Sequence, residues 1–469
     1  MGISAGASGS SSYVSTPPAA SLRAPPQRRL EWLCDPGSLG PLDSLPCTET
    51  VCAATGCVNG RPVVCYAQDS SVAGGSVGVA EAETIVAALQ HGRRAGVPVV
   101  GFLESAGARL QQGAGALAGF GRIFFENVAL SGRSPQISVI TGTAAGGGCY
   151  SPALTDFVVM SANGSMFLTG PKIVKHALGE DVTASALGGA RVHERNGVCD
   201  FVAVDERAAT RLVRELLGYM PLNASEAAPS IAAEPPGGDD PGIALPSNSR
   251  SYYDVRDVIR CLVDGGRFLE ASARWARNIV VGFARLEGRS LGIVANQPRH
   301  LGGVIDVDAS QKGAKFVGTC NAFGLPLLVL VDTPGFMPGT RQESAGVIRH
   351  GAELVRAFAS SRSPRVSVIL RKAFGGAFIT MNSKHLGADV ALSWPRAEIG
   401  IMSAHAAVEI VHRRRLADGD AKAVTAQLAR QYAEENLSPQ AALRYGAIDA
   451  VIEPRDTRRV VAAALQRGR

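Results

Sequence analysis

Two kinds of apolar pattern alternate along this chain. Pro98–Leu103 and Ile137–Thr141 are short unbroken apolar runs, the pattern of strands buried on both faces. The stretch between them, GALAGFGRIFFENVALSG, returns its apolar residues at helical spacing, as does SAGVIRHGAELVRAFASS much later. Strand, turn and helix follow one another repeatedly in each half. Such alternation predicts an α/β fold in which parallel strands are joined by crossover helices.

The second half repeats the first. PVVGFLESAG (Pro98–Gly107) has its partner in PLLVLVDTPG (Pro326–Gly335), each a proline, an apolar run, an acid and a turn of small residues. SPQISVITGTAAGGG, from Ser134, and SPRVSVILRKAFGGA, from Ser363, are identical at eight of fifteen positions. A duplicated unit explains both likenesses. Between the copies, residues 223–250 carry Pro, Gly, Ser and acid without apolar periodicity, so a linker is expected there. The expected division is a disordered Ser/Ala/Pro-rich tail at 1–29, a first domain at 30–222, the linker, and a second domain at 251–469. The tail lacks the apolar run of a signal peptide, and no stretch is apolar enough to predict a membrane span.

Both copies place glycine directly after an apolar strand. In a strand–turn–helix unit that turn faces the ligand crevice. Glycine lets the backbone bend there, and lets a ligand atom reach main-chain N–H groups with no Cβ in the way. Where a helix begins just after, those groups are unpaired and suit negative charge developing on oxygen. Gly-rich turns also serve merely to pack a helix closely on a sheet, and one GGG alone leaves both readings open. The match of Gly147-Gly148 with Gly376-Ala377 favours donor sites, two of them, for two enolate-like oxygens.

Composition adds exclusions. The net charge of +6 is modest for 469 residues, and no basic patch is interleaved with aromatics, so nucleic acid is not an expected partner. Nine cysteines without a CxxC pair suggest reduced thiols in a cytoplasmic protein. Cys47, Cys52 and Cys57 are evenly spaced, but more loosely than a zinc ribbon requires, so buried thiols are expected and no metal. His193 and His350 have no carboxylate or nucleophile recognisable beside them, and packing or hydrogen-bonding roles are expected.

SPQISVITGTAAGGGCYSPALTDFVVM, LTGPKIVK, GGVIDVDASQKGAKFV, LVDTPGFMPGTRQE, IRHGAELVRAFA and RKAFGGAF carry a family likeness. From about residue 30 onward the chain resembles the carboxyltransferase (β) subunits of biotin-dependent acyl-CoA carboxylases, of the propionyl-CoA and acetyl-CoA type, and the related decarboxylases. The resemblance implies tandem duplicated crotonase-like domains with ββα-type repeats, the first on the acyl-CoA side and the second on the biotin side. It implies a homohexamer, with each site between the first domain of one subunit and the second of another. The implied reaction moves a carboxyl group from carboxybiotin, presented by a partner biotin carboxylase and carrier (alpha) subunit, to the α-carbon of an acyl-CoA thioester.

Carried over residue by residue, Gly147 and Gly148 would hold the thioester oxygen, and Gly376 and Ala377 the biotin ureido oxygen. Gly107 on one side, and Gly335 with Phe336 on the other, would frame the two sites, and Ile379 would line the acyl pocket. Gly170 and Lys172 open a predicted helix that would either receive a CoA phosphate or stand solvated. Arg109 would touch CoA or form a local ion pair. Three features depart from the family: a short Pro-rich start, Ser403 and Ala406 where glycine is common, and Arg341 where an acid is common. A decarboxylase of malonyl-type thioesters and a non-catalytic scaffold are the alternatives.

Overall fold

The computed structural model describes residues 24–42, 47–248, 251–413 and 421–467. The first sheet holds β1 (Gly40–Pro41), β2 (Val51–Val58), β3 (Arg61–Gln68), β4 (Val99–Ser105), β5 (Gln136–Ala145), β6 (Phe157–Ser161), β7 (Ser165–Phe167) and β8 (Phe201–Ala203). Their order is β1-β2-β3-β4-β5-β6-β8, with β7 on the far end of β5. The second holds β9 (Phe268–Ala271), β10 (Ile279–Leu286), β11 (Arg289–Asn296), β12 (Leu327–Thr333), β13 (Arg365–Phe374), β14 (Val390–Ser393), β15 (Glu398–Gly400) and β16 (Ala450–Val451). Its order, β16-β14-β13-β12-β11-β10-β9 with β15 on β13, repeats the first. In each, an antiparallel hairpin leads into parallel strands.

Local chemistry sets these elements. β4 and β12 are buried at every residue, as their unbroken apolar runs require. The helices Val79–Ala95 and Ala114–Leu130 serve the first sheet, and Val307–Ala322 and Val347–Ser360 the second. Glu81 folds back to accept the Gly78 N–H at 3.0 Å, and Gly96, at φ +64°, ends that helix. Asp306 caps the matching helix by accepting the Ala309 N–H at 2.8 Å.

The two halves share a core. Phe157 meets Phe283 edge-on with ring centroids 5.7 Å apart, and Phe283 meets Phe316 at 5.0 Å. Lys315 Nζ reaches both carboxylate oxygens of Asp200, at 2.8 and 3.0 Å, and the Ser272 N–H donates to the Asp200 carbonyl at 2.8 Å. Aromatic packing and a half-buried ion pair thus fix one half against the other.

Three expectations need correction. Residues 1–23 of the expected tail lie outside the described residues, but its last residues are helical. Pro26–Leu33 is an amphipathic helix that buries Leu30, Leu33 and Arg29, so the boundary at 29 cuts through it. The connection at 223–248 is packed chain. Ala224 N–H donates to the Arg133 carbonyl at 2.8 Å, Ile231 N–H to Gly288 at 3.0 Å, and Gly237 N–H to Arg260 at 3.0 Å. Main-chain bonds need no apolar periodicity, which is why composition hid this. Cys47 and Cys52 form a disulfide, so the nine cysteines are not all thiols. A turn in which the Val51 N–H bonds Thr48 Oγ1 at 3.0 Å brings their Cα atoms within 4.4 Å. Among the described residues there is no metal-binding cluster of His, Cys, Asp or Glu, and no helix long and apolar enough to cross a membrane.

Asp332 is 1% exposed; its Oδ2 accepts from Arg371 Nε at 3.0 Å and from the Tyr253 hydroxyl at 2.9 Å. Removing the cation strands a buried carboxylate. Arg371→Met should cost about 3–5 kcal/mol, seen as a lowered thermal midpoint, and adding Asp332→Asn should recover much of it. A single variant as stable as the parent would show that the pair contributes nothing.

Candidate active site

Both glycine turns are built the same way. The central strands end at Ala145 and Phe374, and the next residue is left-handed: Gly146 at φ +57° and Gly375 at φ +59°. Glycine holds that conformation at no steric cost. A short helix starts at once, a 3-10 turn at Gly146–Cys149 and an α-helix at Gly375–Thr380. The cap residues, Ala145 and Phe374, offer no side-chain acceptor. The first N–H groups of each helix are therefore left to a ligand or solvent, at the positive end of aligned peptide dipoles.

Neighbouring loops hold the turns. Ser105 Oγ accepts the Gly107 N–H at 3.1 Å, and Thr333 Oγ1 the Gly335 N–H at 3.4 Å. The carbonyls of Gly107 and Gly335 take the N–H groups of Val77 and Ile305, at 2.9 and 3.1 Å. These bonds tie each site to a second double-glycine loop, Gly74-Gly75 and Gly302-Gly303, with all four glycines at positive φ. Sequence reasoning missed these loops. The signal was there, a Gly-Gly pair shortly before each long crossover helix.

What a side chain would meet at each glycine separates packing from ligand approach. A Cβ on Gly147 would lie 3.0 Å from the Phe120 ring, so packing alone calls for glycine there. A Cβ on Gly148 would meet Ser105 at 3.6 Å and one on Gly376 would meet Phe336 at 3.8 Å, both ordinary contacts. Gly376 is exposed, and the protein has room for a side chain where it carries none. Phe336 walls that space; it is seated against Gly351, where a Cβ would come within 3.1 Å of the ring.

No side chain on either turn is set up as a nucleophile. The Cys149 thiol donates to the Gly146 carbonyl at 2.9 Å, and burial pushes its pKa up, so it stays protonated. His193 bonds the Met166 carbonyl at 2.6 Å, and His350 stands between Gln311 and Glu353 at 3.2 and 3.0 Å. The arrangement offers preorganised main-chain donors for charge on oxygen.

The other candidates divide. Arg109 is engaged within the chain, bonding Glu81 at 2.8 Å and the Ser76 carbonyl at 3.0 Å, as the ion-pair reading expected. Gly170 caps the helix Pro171–Leu178, and Lys172 is exposed on its first turn. Ile379 is 52% exposed, two residues past Ala377. Ser403 caps the helix Ala404–Val411, and the nearby Ile401 carbonyl would lie 3.1 Å from a Cβ on Gly375, so this departure borders the second turn. Arg341 is exposed on the short helix Thr340–Ser344, whose Gln342 accepts the Val307 N–H at 3.0 Å.

A family profile for the carboxyl transferase domain matches residues 37–467. The chain is 43% identical over 422 residues to the methylmalonyl-CoA carboxyltransferase 12S subunit of Propionibacterium freudenreichii subsp. shermanii, spanning 89% of this chain and 80% of that one. It is 44% identical to the propionyl-CoA carboxylase beta chain of Saccharopolyspora erythraea, over 94% of this chain and 86% of that one. It is 41% identical to the methylmalonyl-CoA decarboxylase subunit alpha of Propionigenium modestum, over 93% and 89%. The crystal structure of the transcarboxylase 12S hexamer with hydrolysed methylmalonyl-CoA superposes with a TM-score of 0.91 at 40% identity, covering 94% of this chain and 89% of that one. Duplicated sheets, paired donor turns and these likenesses over nearly the whole chain agree: it belongs to the carboxyl transferase family, the carboxyltransferases of biotin-dependent acyl-CoA carboxylases.

Proposed function

We propose that this chain is the carboxyltransferase subunit of an acyl-CoA carboxylase, with a main-chain oxyanion hole in each half. The observation that carries this reading is Gly376, exposed and free of packing demands, at the mouth of a helix with no side-chain cap. The first half, about residues 30–222, takes the acyl-CoA thioester; the second, about 251–469, takes biotin.

The residues present suit biotin. The donors at Gly376 and Ala377 would hold its ureido oxygen, with Phe336 as an apolar wall, Ile379 beside the acyl group, and Gly335 shaping the rim. Carboxybiotin bound there supplies the carboxyl group and the base for the α-proton. The chain's own task is to stabilise charge. The N–H groups of Gly147 and Gly148 hold the thioester oxygen as its charge grows, each donor contributing about 3–4 kcal/mol. Gly107 sets the path of that rim. Gly170 and Lys172 meet a CoA phosphate, and Arg109 positions the Ser76–Glu81 segment.

Tyr150 and Ile379 stand exposed beside the two turns, which supports closure of the first half of one copy by the second half of another, in a hexamer like that of the 12S structure. The carboxyl group would come from a partner biotin carboxylase and carrier subunit. Seven free cysteines suit the cytoplasm.

Purified chain incubated with malonyl-CoA or methylmalonyl-CoA should release the decarboxylated thioester only when free biotin is added. Biotin-independent release would favour a decarboxylase, and no release with a biotinylated carrier present would leave a scaffold. Gly376→Pro removes one N–H at a first-turn position that tolerates proline, and should lower turnover about a hundredfold with the oligomer intact. Gly148→Val should do the same from the thioester side. Near-normal turnover in either would remove the donor assignment for that half.

A further inference from the structure

The duplication extends to the base of each sheet, opposite the glycine turns, and there the halves differ. Asn59, Gly60 and Arg61 match Glu287, Gly288 and Arg289, the tight turns having φ of +51° and +73° against +50° and +78°. Gly96 matches Gly324, at φ +64° and +63°. Arg133-Ser134-Pro135 matches Arg362-Ser363-Pro364.

In the first half this base is covered by the chain's own connection. Asn223 Nδ2 donates to the Gly96 carbonyl at 2.9 Å, and the Ala224 N–H to the Arg133 carbonyl at 2.8 Å. Asn223 also bonds Glu226 at 2.7 Å, and Glu226 faces Arg61. A tight turn, closed by the Glu226 N–H on the Asn223 carbonyl at 3.2 Å, thus lies across the base, held on two carbonyls with its acid toward Arg61.

In the second half the same place is a cavity of about 440 Å³. Leu286, Leu291, Leu325 and Leu465 give it apolar walls, and Arg289 and Arg362 stand at its rim. Among the described residues neither guanidinium has a partner, and the carbonyls of Gly324 and Arg362 have no counterpart of Asn223 or Ala224. The one carboxylate on the rim, Glu287, is held by Gln466 Nε2 at 3.1 Å. The cavity is therefore apolar within, cationic at its edge, and lined with the counterparts of the acceptors that bind the Asn223 turn in the other half.

We propose that this groove docks a turn-forming, acid-bearing peptide segment of a partner chain, in the way the first half holds residues 221–226. Charge argues against the chain's own first 23 residues as occupant, because its first acid is Glu31. The carboxylate pairs with Arg289, and main-chain and Asn-type donors take the Gly324 and Arg362 carbonyls.

The probe is a fluorescent peptide with the sequence of residues 220–228, MPLNASEAA, titrated with the intact chain and followed by anisotropy. Saturable binding below about 1 mM is expected. Replacing the peptide's glutamate by glutamine, or Arg289→Ala in the protein, should each weaken it about tenfold. The glutamine peptide needs no protein variant, so misfolding cannot mimic the result. Absence of saturation, equal binding of the glutamine peptide, or equal binding of an acid-free peptide of residues 1–23 would overturn the proposal. Arg289 lies outside the proposed catalytic turns, so Arg289→Ala should keep biotin-dependent thioester decarboxylation, which separates this inference from the proposed activity.

Discussion

Two buried carboxylates hold up the end of the molecule that carries the glycine turns. Glu104 and Asp332 are each the next-to-last residue of β4 or β12, where the pairing with the following strand slips. Arg29 Nη2 bonds Glu104 at 2.8 Å, and Arg371 Nε bonds Asp332 at 3.0 Å. Burial pushes the Asp332 carboxyl pKa up, and Arg371, the Tyr253 hydroxyl and the Lys372 N–H oppose that shift. The same two residues crowd their surroundings: a Cβ on Gly75 would stand 2.1 Å from the Glu104 carbonyl, and one on Gly303 would stand 2.5 Å from that of Asp332. The double-glycine loops are thereby pressed against the strand ends, and those loops bind the residues beside each donor turn. Without the arginines, two desolvated charges would sit at the centre of this arrangement.

Packing and openness divide the glycines between them. Gly75, Gly142, Gly147 and Gly303 are glycine because a Cβ would strike a neighbour within 3.0 Å. Gly146 and Gly375 are glycine for their backbone angle. Gly376 answers to neither demand, and a functional reason remains: access to the main chain. Gly148 shares that freedom in the first half, so each turn keeps one glycine that neither packing nor backbone angle requires.

Strands, crossover helices and donor turns were legible in sequence because each is written locally. β4 and β12 announce themselves by unbroken apolar runs, and the turns by glycine following a repeated strand. Arg29 was not legible. Its value lies in Glu104, 75 positions away in the chain, and nothing near RRLEWL marks one arginine as buried. The connection at 223–248 escaped for a related reason, since it is held through backbone groups that every residue possesses. Cys47–Cys52 depended on a turn at Thr48–Val51 that spacing alone does not specify. Arg109 could be read either way until its neighbour Glu81 was placed.

The rigid joint between the halves bears on how a reaction space can close. Phe283 is locked among Phe157, Tyr219 and Phe316, and Lys315 is locked on Asp200, so one half cannot swing on the other without opening a shared core. Yet Tyr150, Ile379 and Ile401 stay exposed around the two donor turns. Burying such side chains is favourable by roughly 25 cal/mol per Å² of apolar surface, a gain an internal hinge cannot collect here. Donors of this kind also gain strength when water is excluded, because the local dielectric falls. Both requirements, apolar cover and a dry site, would be met by a second molecule laid over the turns. A chain with no side-chain base on either turn has the most to gain from that cover, since what its turns offer a ligand are backbone dipoles.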